Sequence, residues 1–418
     1  MTTGISPLRR NLTLILLMVV AALSYIDRQV FTLFQDDIKV DLALSDSQLG
    51  MLTGLSFAVF YSFVAFPVAR YADRGDRSLV VAISVTAWSL ATALCGAAMG
   101  FWTMALARVG LASGEAGAGP ASNSLLVDIF PRDRRVIVIS AYLAASAMGI
   151  SGGLVLGGWL SQFFGWRSVF YVVGLPGILI GLAVWLFAVE PRRKAAKTVV
   201  APPRMSSADV IRTMLASTSL RWVGLLLIAV PCVGGAFLLW SPSFFLRVHH
   251  MDKEAVGYWL GGATLVGLVL GNLTAGIVGD RFGRDKPGFN GWFAGLGLFA
   301  AFPFSLGFIL SPETNVSLAC FLALKFLMTL HLGPIIALCF SQVPTAMRAV
   351  MSATINMFIG LAGTGIGGTL AGTFSDLYTA RFGELSLRYS LLTFSGVLLI
   401  GGVAAIMAGR TAKPLAQD

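Results

Sequence analysis

Charged residues are scarce in this chain, because Asp, Glu, Lys and Arg together make up only 12% of its 418 residues. Soluble globular proteins carry about 25%. Hydrophobic residues make up 56% of the chain, which is more apolar surface than one soluble core of this length can bury. The shortage of charge therefore excludes an ordinary soluble domain and indicates lipid as the surrounding solvent.

Cysteine and histidine are also few, and neither forms a recognisable motif. The four cysteines lie inside apolar runs without CxxC spacing, so we interpret them as packing residues: Cys95, Cys232, Cys320 and Cys339. Of the three histidines only His331 lies in an apolar run, which argues against a metal site. We predict neither a metal nor a cofactor.

Motifs of known catalytic chemistry are missing as well. The chain has no HExxH motif and no Ser/His/Asp arrangement, so nothing in it supports an enzyme. It also lacks the GxxxxGK[ST] phosphate loop, which excludes transport driven by ATP bound to this chain. The glycine run at 360–368 has neither a strand before it nor a lysine after it, and is not a nucleotide loop.

Long apolar runs are what the sequence has in abundance. A helix needs about 20 mostly apolar residues to cross a bilayer. Such runs lie at 11–34, 48–69, 78–99, 102–128, 135–161, 167–189, 221–246, 255–279, 287–310, 315–341, 347–375 and 384–409. The sequence predicts an all-α integral membrane protein with twelve transmembrane helices. Arg9 and Arg10 imitate a signal peptide, but the run that follows them is long enough to be a retained first span.

The net charge of +10 comes from basic residues between the apolar runs, not from one basic domain. This distribution argues against nucleic-acid binding. Most Lys and Arg residues lie at the termini and in the even-to-odd connections. The opposite loops contain only Lys39, Arg167, Arg247, Lys253, Arg381 and Arg388. The positive-inside rule then predicts a multi-pass protein of the plasma (inner) membrane with both termini cytoplasmic.

A polar stretch near the middle divides the chain. We predict an N-terminal six-helix bundle at 1–190, a cytoplasmic linker at 191–220 and a C-terminal six-helix bundle at 221–418. The halves are related, because the cluster at 69–77 after the second run recurs at 276–284 after the eighth, with Asp-Arg-x-x-Arg in both copies. Internal repeats of this kind are common in secondary transporters.

Several motifs in chain order carry a family resemblance. Gly276–Arg284 fits the loop motif G-x-x-x-D-R-x-G-R, from which the first copy departs at Ala69 and in the order of Gly75 and Asp76. Further matches are Arg108–Glu115 in the fourth run, Gly149, Gly153, Gly157 and Gly158 in the fifth, and Gly165–Arg167 before the sixth. The chain thus resembles the major facilitator superfamily over essentially its whole length. The resemblance implies two pseudo-symmetric six-helix bundles that work by alternating access.

Three shorter segments resemble the Spinster-like branch of that superfamily: Tyr25–Arg28, Gly114–Gly117 and Asp128–Pro131. This resemblance implies a proton-linked carrier for an anionic or zwitterionic amphiphile, such as a lysophospholipid or a sphingoid phosphate. Organic-anion/proton symporters for small carboxylates share parts of these patterns, and a broad-specificity drug exporter is a third alternative.

Five charged residues lie well inside the predicted spans, namely Asp27, Arg28, Arg108, Glu115 and Lys325. Each costs at least ~2.5–3.5 kcal/mol at the centre of a bilayer and so indicates a function. A carboxyl group beside an arginine in a low-dielectric site gains or loses its proton on small rearrangements. We therefore predict proton coupling by Asp27 first and Glu115 second. Arg28, Arg108 and Lys325 are predicted to bind an anionic head group.

The same charges have a static alternative, in which Asp27 pairs with Arg108 and Arg28 with Glu115. Buried ion pairs seldom add net stability over apolar packing, which favours the functional interpretation. Since four of the five charges belong to the first half, coupling is predicted to reside there. The predicted partners are protons, membrane lipids and a small amphiphilic or anionic substrate, and the chain is predicted to be a monomer.

Charged residues at the cytoplasmic surface have two interpretations. One is a positive-inside anchor. The family resemblance implies the other, a breakable salt-bridge gate that closes the cytoplasmic side. Its predicted members are Asp73, Arg74, Arg77, Arg132, Arg134, Arg135, Asp280, Arg281 and Arg284.

Overall fold

The structure is a computed structural model that describes residues 6–191, 207–283 and 286–413. Over these ranges the chain forms sixteen α-helices and no β-strand. The helices are α1 (Pro7–Asp41), α2 (Asp46–Gly50), α3 (Ser56–Arg74), α4 (Arg77–Gly96), α5 (Phe101–Ile129), α6 (Arg135–Leu160), α7 (Trp166–Phe187), α8 (Ser207–Ala216), α9 (Thr218–Val248), α10 (Lys253–Val278), α11 (Pro287–Leu310), α12 (Thr314–Thr329), α13 (Leu332–Phe340), α14 (Thr345–Gly360), α15 (Gly368–Phe382) and α16 (Ser386–Arg410).

Some spans consist of more than one helix. A π-helical turn at Met51–Leu55 joins α2 to α3, and a second one at Leu361–Gly367 joins α14 to α15. Together α12 and α13 form the tenth span, and a third π-helical turn at Gly279–Gly283 ends the eighth. Each of the twelve predicted apolar runs is therefore helical, and the predicted fold class holds.

Length and composition alone identify ten stretches of the described chain as able to cross a membrane. One of them, Val350–Arg410, contains two of the twelve spans. The span formed by α5 is absent from the ten because Arg108, Glu115 and the small residues around them lower its hydropathy. The one complete span that misses this criterion thus carries two of the five predicted intramembrane charges.

The first helix begins and ends outside its apolar run. The side chain of Ser6 accepts a hydrogen bond from the backbone N–H of Arg9, and Pro7 occupies the first helical position, where its missing N–H costs nothing. The helix has 35 residues, which corresponds to about 52 Å at a rise of 1.5 Å per residue. It therefore extends past the predicted run at 11–34 by about two turns at its C-terminal end.

The chain divides into two compact units. Unit 1 comprises Met1–Val200 and Asp252–Gly261, and unit 2 comprises Ala201–Met251 and Gly262–Asp418. The domain and linker boundaries drawn from the sequence stay predictions, since residues 192–206 lie outside the described ranges.

In unit 1, α4 packs against α5 and α7, α3 packs against α5, and α1 packs along α6. Glycines of α6 allow its close contact with α1. A Cβ atom at Gly153 would lie 2.8 Å from Ile26 Cα, and one at Gly149 would meet the backbone of Ala22. Small residues let helices approach closely in membranes, and here they bring α6 against α1 at Ile26, the residue before Asp27.

In unit 2, α9 packs against α15, α16 and the π-helical turn at Leu361–Gly367, while α11 packs against α12 and α16. The side chain of Trp240 donates a hydrogen bond to the carbonyl of Gly368 at 2.8 Å. Aromatic rings fill the interior near the end of α9, and the cluster consists of Phe237, Phe244, Phe245, Phe308 and Phe321. These rings give unit 2 an apolar core.

Candidate functional site

Arg28 on α1 and Glu115 on α5 form an ion pair inside unit 1. Arg28 Nε donates to Glu115 Oε2 at 2.8 Å, and Arg28 Nη2 contacts the same oxygen. The side chain of Glu115 is 1% exposed and that of Arg28 is 25% exposed. Oε1 of Glu115 is buried without a hydrogen-bond partner among the described residues. The pair therefore uses only one of the two carboxylate oxygens.

Asp27 neighbours this pair but does not join it. Its Oδ2 accepts a hydrogen bond from the hydroxyl of Thr92 on α4 at 3.1 Å, while Oδ1 is buried and has no partner in the described part of the chain. No ion pair joins Asp27 to Arg108 within the described ranges, so that part of the static alternative is wrong, whereas Arg28 does pair with Glu115. Asp27 is 2% exposed and thus has one neutral donor in a buried site.

Arg108 on α5 is buried, and its hydrogen bond and ring contacts are all to neutral groups. Its Nε donates to the carbonyl of Leu52 at 3.3 Å, and Nη1 is buried with no hydrogen-bond partner among described atoms. The guanidinium carbon lies 4.6 Å from the ring centroid of Phe31 and 5.5 Å from that of Phe57. Arg108 is therefore a buried cation that keeps one hydrogen-bond donor unused.

Aromatic rings surround both arginines. The guanidinium carbon of Arg28 lies 4.3 Å from the ring centroid of Phe57, 5.1 Å from that of Tyr25 and 5.7 Å from that of Tyr61. The rings of Phe57 and Tyr61 stack at 5.8 Å. Phe57 is the ring that both arginines share. Cation–π contacts of this kind stabilise a desolvated guanidinium without neutralising it.

Sequence reasoning missed several of these residues, namely Phe31, Phe57, Tyr61 and Thr92. Aromatic residues in an apolar span look the same whether they face lipid or a charge. One available signal was the four-residue spacing of Phe57 and Tyr61, which places both on one helix face. The π-helical turn before Phe57 has no sequence signal of comparable strength.

Lys325 belongs to unit 2, where it lies on α12. Its Nζ is 5.0 Å from the ring centroid of Phe321, and no carboxylate forms an ion pair with it in the described parts of the chain. Its predicted role in substrate binding stays a prediction.

Arg77 is not at the surface, where the sequence analysis expected it. Its side chain is fully buried and forms ion pairs with Glu190 at 2.7 Å and Asp128 at 2.6 Å. It also donates to the carbonyl of Ser124 at 3.0 Å, and its backbone N–H donates to Glu190 Oε2 at 2.8 Å. Two carboxylates and a carbonyl satisfy the guanidinium, which is why it can be buried. Arg77 joins α4, α5 and the segment after α7 within one unit.

The other predicted gate residues are less constrained. Arg134, Asp280 and Arg281 are exposed, and Arg135 Nε donates to the carbonyl of Phe130 at 3.3 Å. The side chains of Asp73, Arg74 and Arg132, and the whole of Arg284, lie outside what the structure describes. The gate therefore stays a prediction.

A cavity of about 400 Å³ lies apart from the buried charges, near the end of α1. Its lining includes Asp37 and Lys253, which form an ion pair with Nζ 2.8 Å from Oδ1, together with Phe34 and Trp166. None of Asp27, Arg28, Arg108 and Glu115 lines it. Since its two charges already neutralise each other, we assign the functional site to the buried cluster instead.

Residues 17–367 match the Major Facilitator Superfamily. The chain belongs to this superfamily. It is 31% identical over 401 residues to an efflux pump of the superfamily from Mycolicibacterium smegmatis, with 94% of this chain and 91% of the relative covered. It is 25% identical over 239 residues to a sphingosine-1-phosphate transporter of Danio rerio, which covers 56% of this chain and 47% of the relative.

Among solved structures, the fold is similar to that of a bacterial homologue of the human lysosomal transporter Spinster in an inward-facing, unoccupied conformation. The TM-score is 0.87, the identity is 26%, and 97% of this chain and 98% of the other are covered. This protein of the Major Facilitator Superfamily is therefore a multi-pass membrane transporter of a small substrate and not an enzyme. The predicted family, its Spinster-like resemblance and the predicted fold are confirmed.

Proposed function

We propose that this protein is a proton-coupled secondary active transporter that carries an anionic or zwitterionic amphiphile, such as a lysophospholipid or a sphingoid phosphate. It works by alternating access as a monomer in the plasma (inner) membrane, with both termini cytoplasmic. One observation carries the proposal: the buried Arg28–Glu115 pair lies beside an aspartate, Asp27, that has no ion-pair partner among the described residues.

Charge balance supports proton coupling. With both acids ionised, the two arginines of the cluster are neutralised by Asp27 and Glu115. A substrate anion that binds Arg28 takes the place of Glu115, so that the cluster gains one negative charge. Because an uncompensated buried charge is costly, the carboxyl group without an ion-pair partner, Asp27, takes up a proton with the anion, and Glu115 is the second candidate. A monovalent anion and one proton together leave the net charge of the cluster unchanged.

The proposed substrate class rests on the hydrogen-bond donors of buried cations that have no partner among the described residues. Within unit 1, Arg108 has an unused donor in Nη1. Lys325 is a separate cation of unit 2, for which anion binding stays a prediction. Guanidinium groups suit phosphate or carboxylate because their planar fork donates parallel hydrogen bonds. The sphingosine-1-phosphate transporter of Danio rerio, whose name states a phosphorylated lipid, supports an amphiphile.

Export of amphiphilic drugs is the second candidate function. The specific observation in its favour is the efflux pump of Mycolicibacterium smegmatis, which is similar over 94% of this chain. Both functions require a substrate with an apolar body, and they differ in the charge of its head group. The arginine-rich cluster favours an anionic head group, whereas a cationic drug would be repelled by Arg108.

Reconstituted protein tests the coupling. We expect Asp27→Asn to retain exchange of labelled lysophosphatidic acid across proteoliposomes and to lose the stimulation that a pH gradient gives. Asp41→Asn is the matched control, because Asp41 lies on the same helix but is 46% exposed and pairs with Arg167. If gradient-driven transport survives both in Asp27→Asn and in Glu115→Gln, the proposed coupling is wrong.

A further inference from the structure

Phe57 lies where the two buried arginines meet. The residue is 5% exposed, and its ring centroid is 4.3 Å from the guanidinium carbon of Arg28 and 5.5 Å from that of Arg108. Two cations that share one ring in a low-dielectric site repel each other, and the negative face of the ring offsets part of that repulsion. Phe57 is thus the contact through which the two cations are held near each other.

The turn before Phe57 holds Arg108 as well. Met51–Leu55 is π-helical, and the carbonyl of Leu52 in this turn accepts the hydrogen bond from Arg108 Nε. Short π-helical turns are rare and frequently occur at functional sites. One short segment therefore supplies both a carbonyl and an aromatic ring to the same guanidinium.

Arg108 has a carboxylate that it does not bind. Glu115 lies seven residues further along α5, which is about two helical turns, and the charges of the two residues act on each other. Oε1 of Glu115 is buried without a hydrogen-bond partner in the described chain, so it offers an acceptor for a second arginine. The groups that hold Arg108 elsewhere are neutral, namely the Leu52 carbonyl and the rings of Phe31 and Phe57.

We propose that Phe57, together with the Leu52 carbonyl, is a positioning residue that keeps Arg108 away from Glu115 and thereby available to the anionic head group of the substrate. The inference rests on the proposed function and adds the residue that determines how tightly an anion binds. Without the ring, Arg108 turns to Glu115 and forms a second ion pair. Substrate anion then competes with a protein carboxylate for both arginines.

Phe57→Leu tests this role, because leucine is apolar but has no ring face. In proteoliposomes we expect the KM for lysophosphatidic acid to rise about tenfold, which corresponds to the loss of one buried cation–π contact, with the maximal rate changed by less than about twofold.

Two further variants separate positioning from packing. Phe57→Tyr keeps the ring and is expected to keep the wild-type KM. Phe60→Leu is the matched control, because Phe60 lies on the same helix and is 40% exposed. An unchanged KM in Phe57→Leu, or an equal loss in Phe57→Tyr, overturns the inference.

A structure of Phe57→Leu tests the positioning step without any substrate. We expect Arg108 within ion-pair distance of Glu115, and a guanidinium still on the Leu52 carbonyl with no contact to Glu115 overturns the inference. Wild-type protein that does not transport or bind lysophosphatidic acid refutes the proposed substrate class instead. The two failures are therefore distinguishable.

Discussion

Arg28 and Glu115 meet end-on, because two nitrogens of the guanidinium contact one carboxylate oxygen, Oε2, and the other oxygen has no hydrogen-bond partner in the described chain. In a bidentate arrangement, two guanidinium nitrogens would donate in parallel to the two carboxylate oxygens and hold the pair more firmly. The end-on contact leaves Oε1 able to bind a proton or to accept a hydrogen bond from another donor. This geometry suits a pair that opens and closes during a transport cycle.

Removing one partner of this pair should destabilise the protein. We expect Glu115→Gln to lower the free energy of unfolding by about 1–3 kcal/mol, because Arg28 then lies largely buried without its carboxylate. Thermal unfolding of the purified protein measures the change. The double variant Arg28→Met with Glu115→Leu should recover most of the loss. A single variant as stable as wild type contradicts this account of the pair.

Arg77 and Glu190 should matter even more for stability, since neither side chain is exposed at all. We expect Arg77→Met to cost about 3–5 kcal/mol, because Glu190 and Asp128 then lose the buried guanidinium that they share.

The matched control is Arg134→Met, which changes an exposed arginine and should stay within about 0.5 kcal/mol of wild type. Unfolding by denaturant or heat gives both values. Equal stability of the two variants would show that the buried cluster contributes no more than a surface charge.

The contact between α6 and α1 predicts a steric effect at one glycine and none at its neighbour. A Cβ atom at Gly153 would lie 2.8 Å from Ile26 Cα, whereas one at Gly152 would meet nothing within 4 Å. We expect Gly153→Ala to cost about 1–3 kcal/mol, because it pushes α1 away, and to lower transport since Asp27 follows Ile26 directly.

Gly152→Ala should be neutral or stabilising by up to about 1 kcal/mol, because alanine favours helices over glycine. Thermal unfolding and transport assays on the two variants test the prediction together. Equal effects at both positions would contradict the close helix approach described above.

The fold was predictable because it depends on composition and on the spacing of apolar runs, both of which are local. The buried charges were predictable for the same reason, since a charge such as Asp27 stands out in an apolar run. Their partners were not. Arg28 and Glu115 are 87 residues apart, and Arg77 and Glu190 are 113 apart. The rotation of each helix decides such pairings.

Helix rotation could not be obtained from periodicity here, since lipid-facing and core-facing positions of these spans are both apolar. For the same reason Phe57 could not be distinguished from the many phenylalanines that only pack. Arg77 was expected at the surface because it stands in a loop motif. The carboxylate of Glu190, which is distant in the sequence, pairs with Arg77 and allows it to be buried. No residue near Arg77 in the sequence indicates this partner.

Native mass spectrometry of the purified protein tests the substrate class. We expect a bound mass that corresponds to a lysophospholipid or sphingoid phosphate, and we expect Arg108→Gln to reduce its occupancy because the head group then loses one of its charged donors. Lys413→Gln, which changes an exposed lysine after α16, is the control. A compact polar metabolite such as a sugar acid in place of the lipid would refute the amphiphile and favour the organic-anion alternative.

Proton movement driven by substrate tests the central claim most directly. Proteoliposomes that contain a pH-sensitive dye are given a gradient of lysophosphatidic acid and no imposed pH gradient. We predict a change of internal pH that begins with the addition of substrate, scales with the amount transported and disappears in Asp27→Asn. Transport of the lipid by the wild type without any change of internal pH would contradict the account.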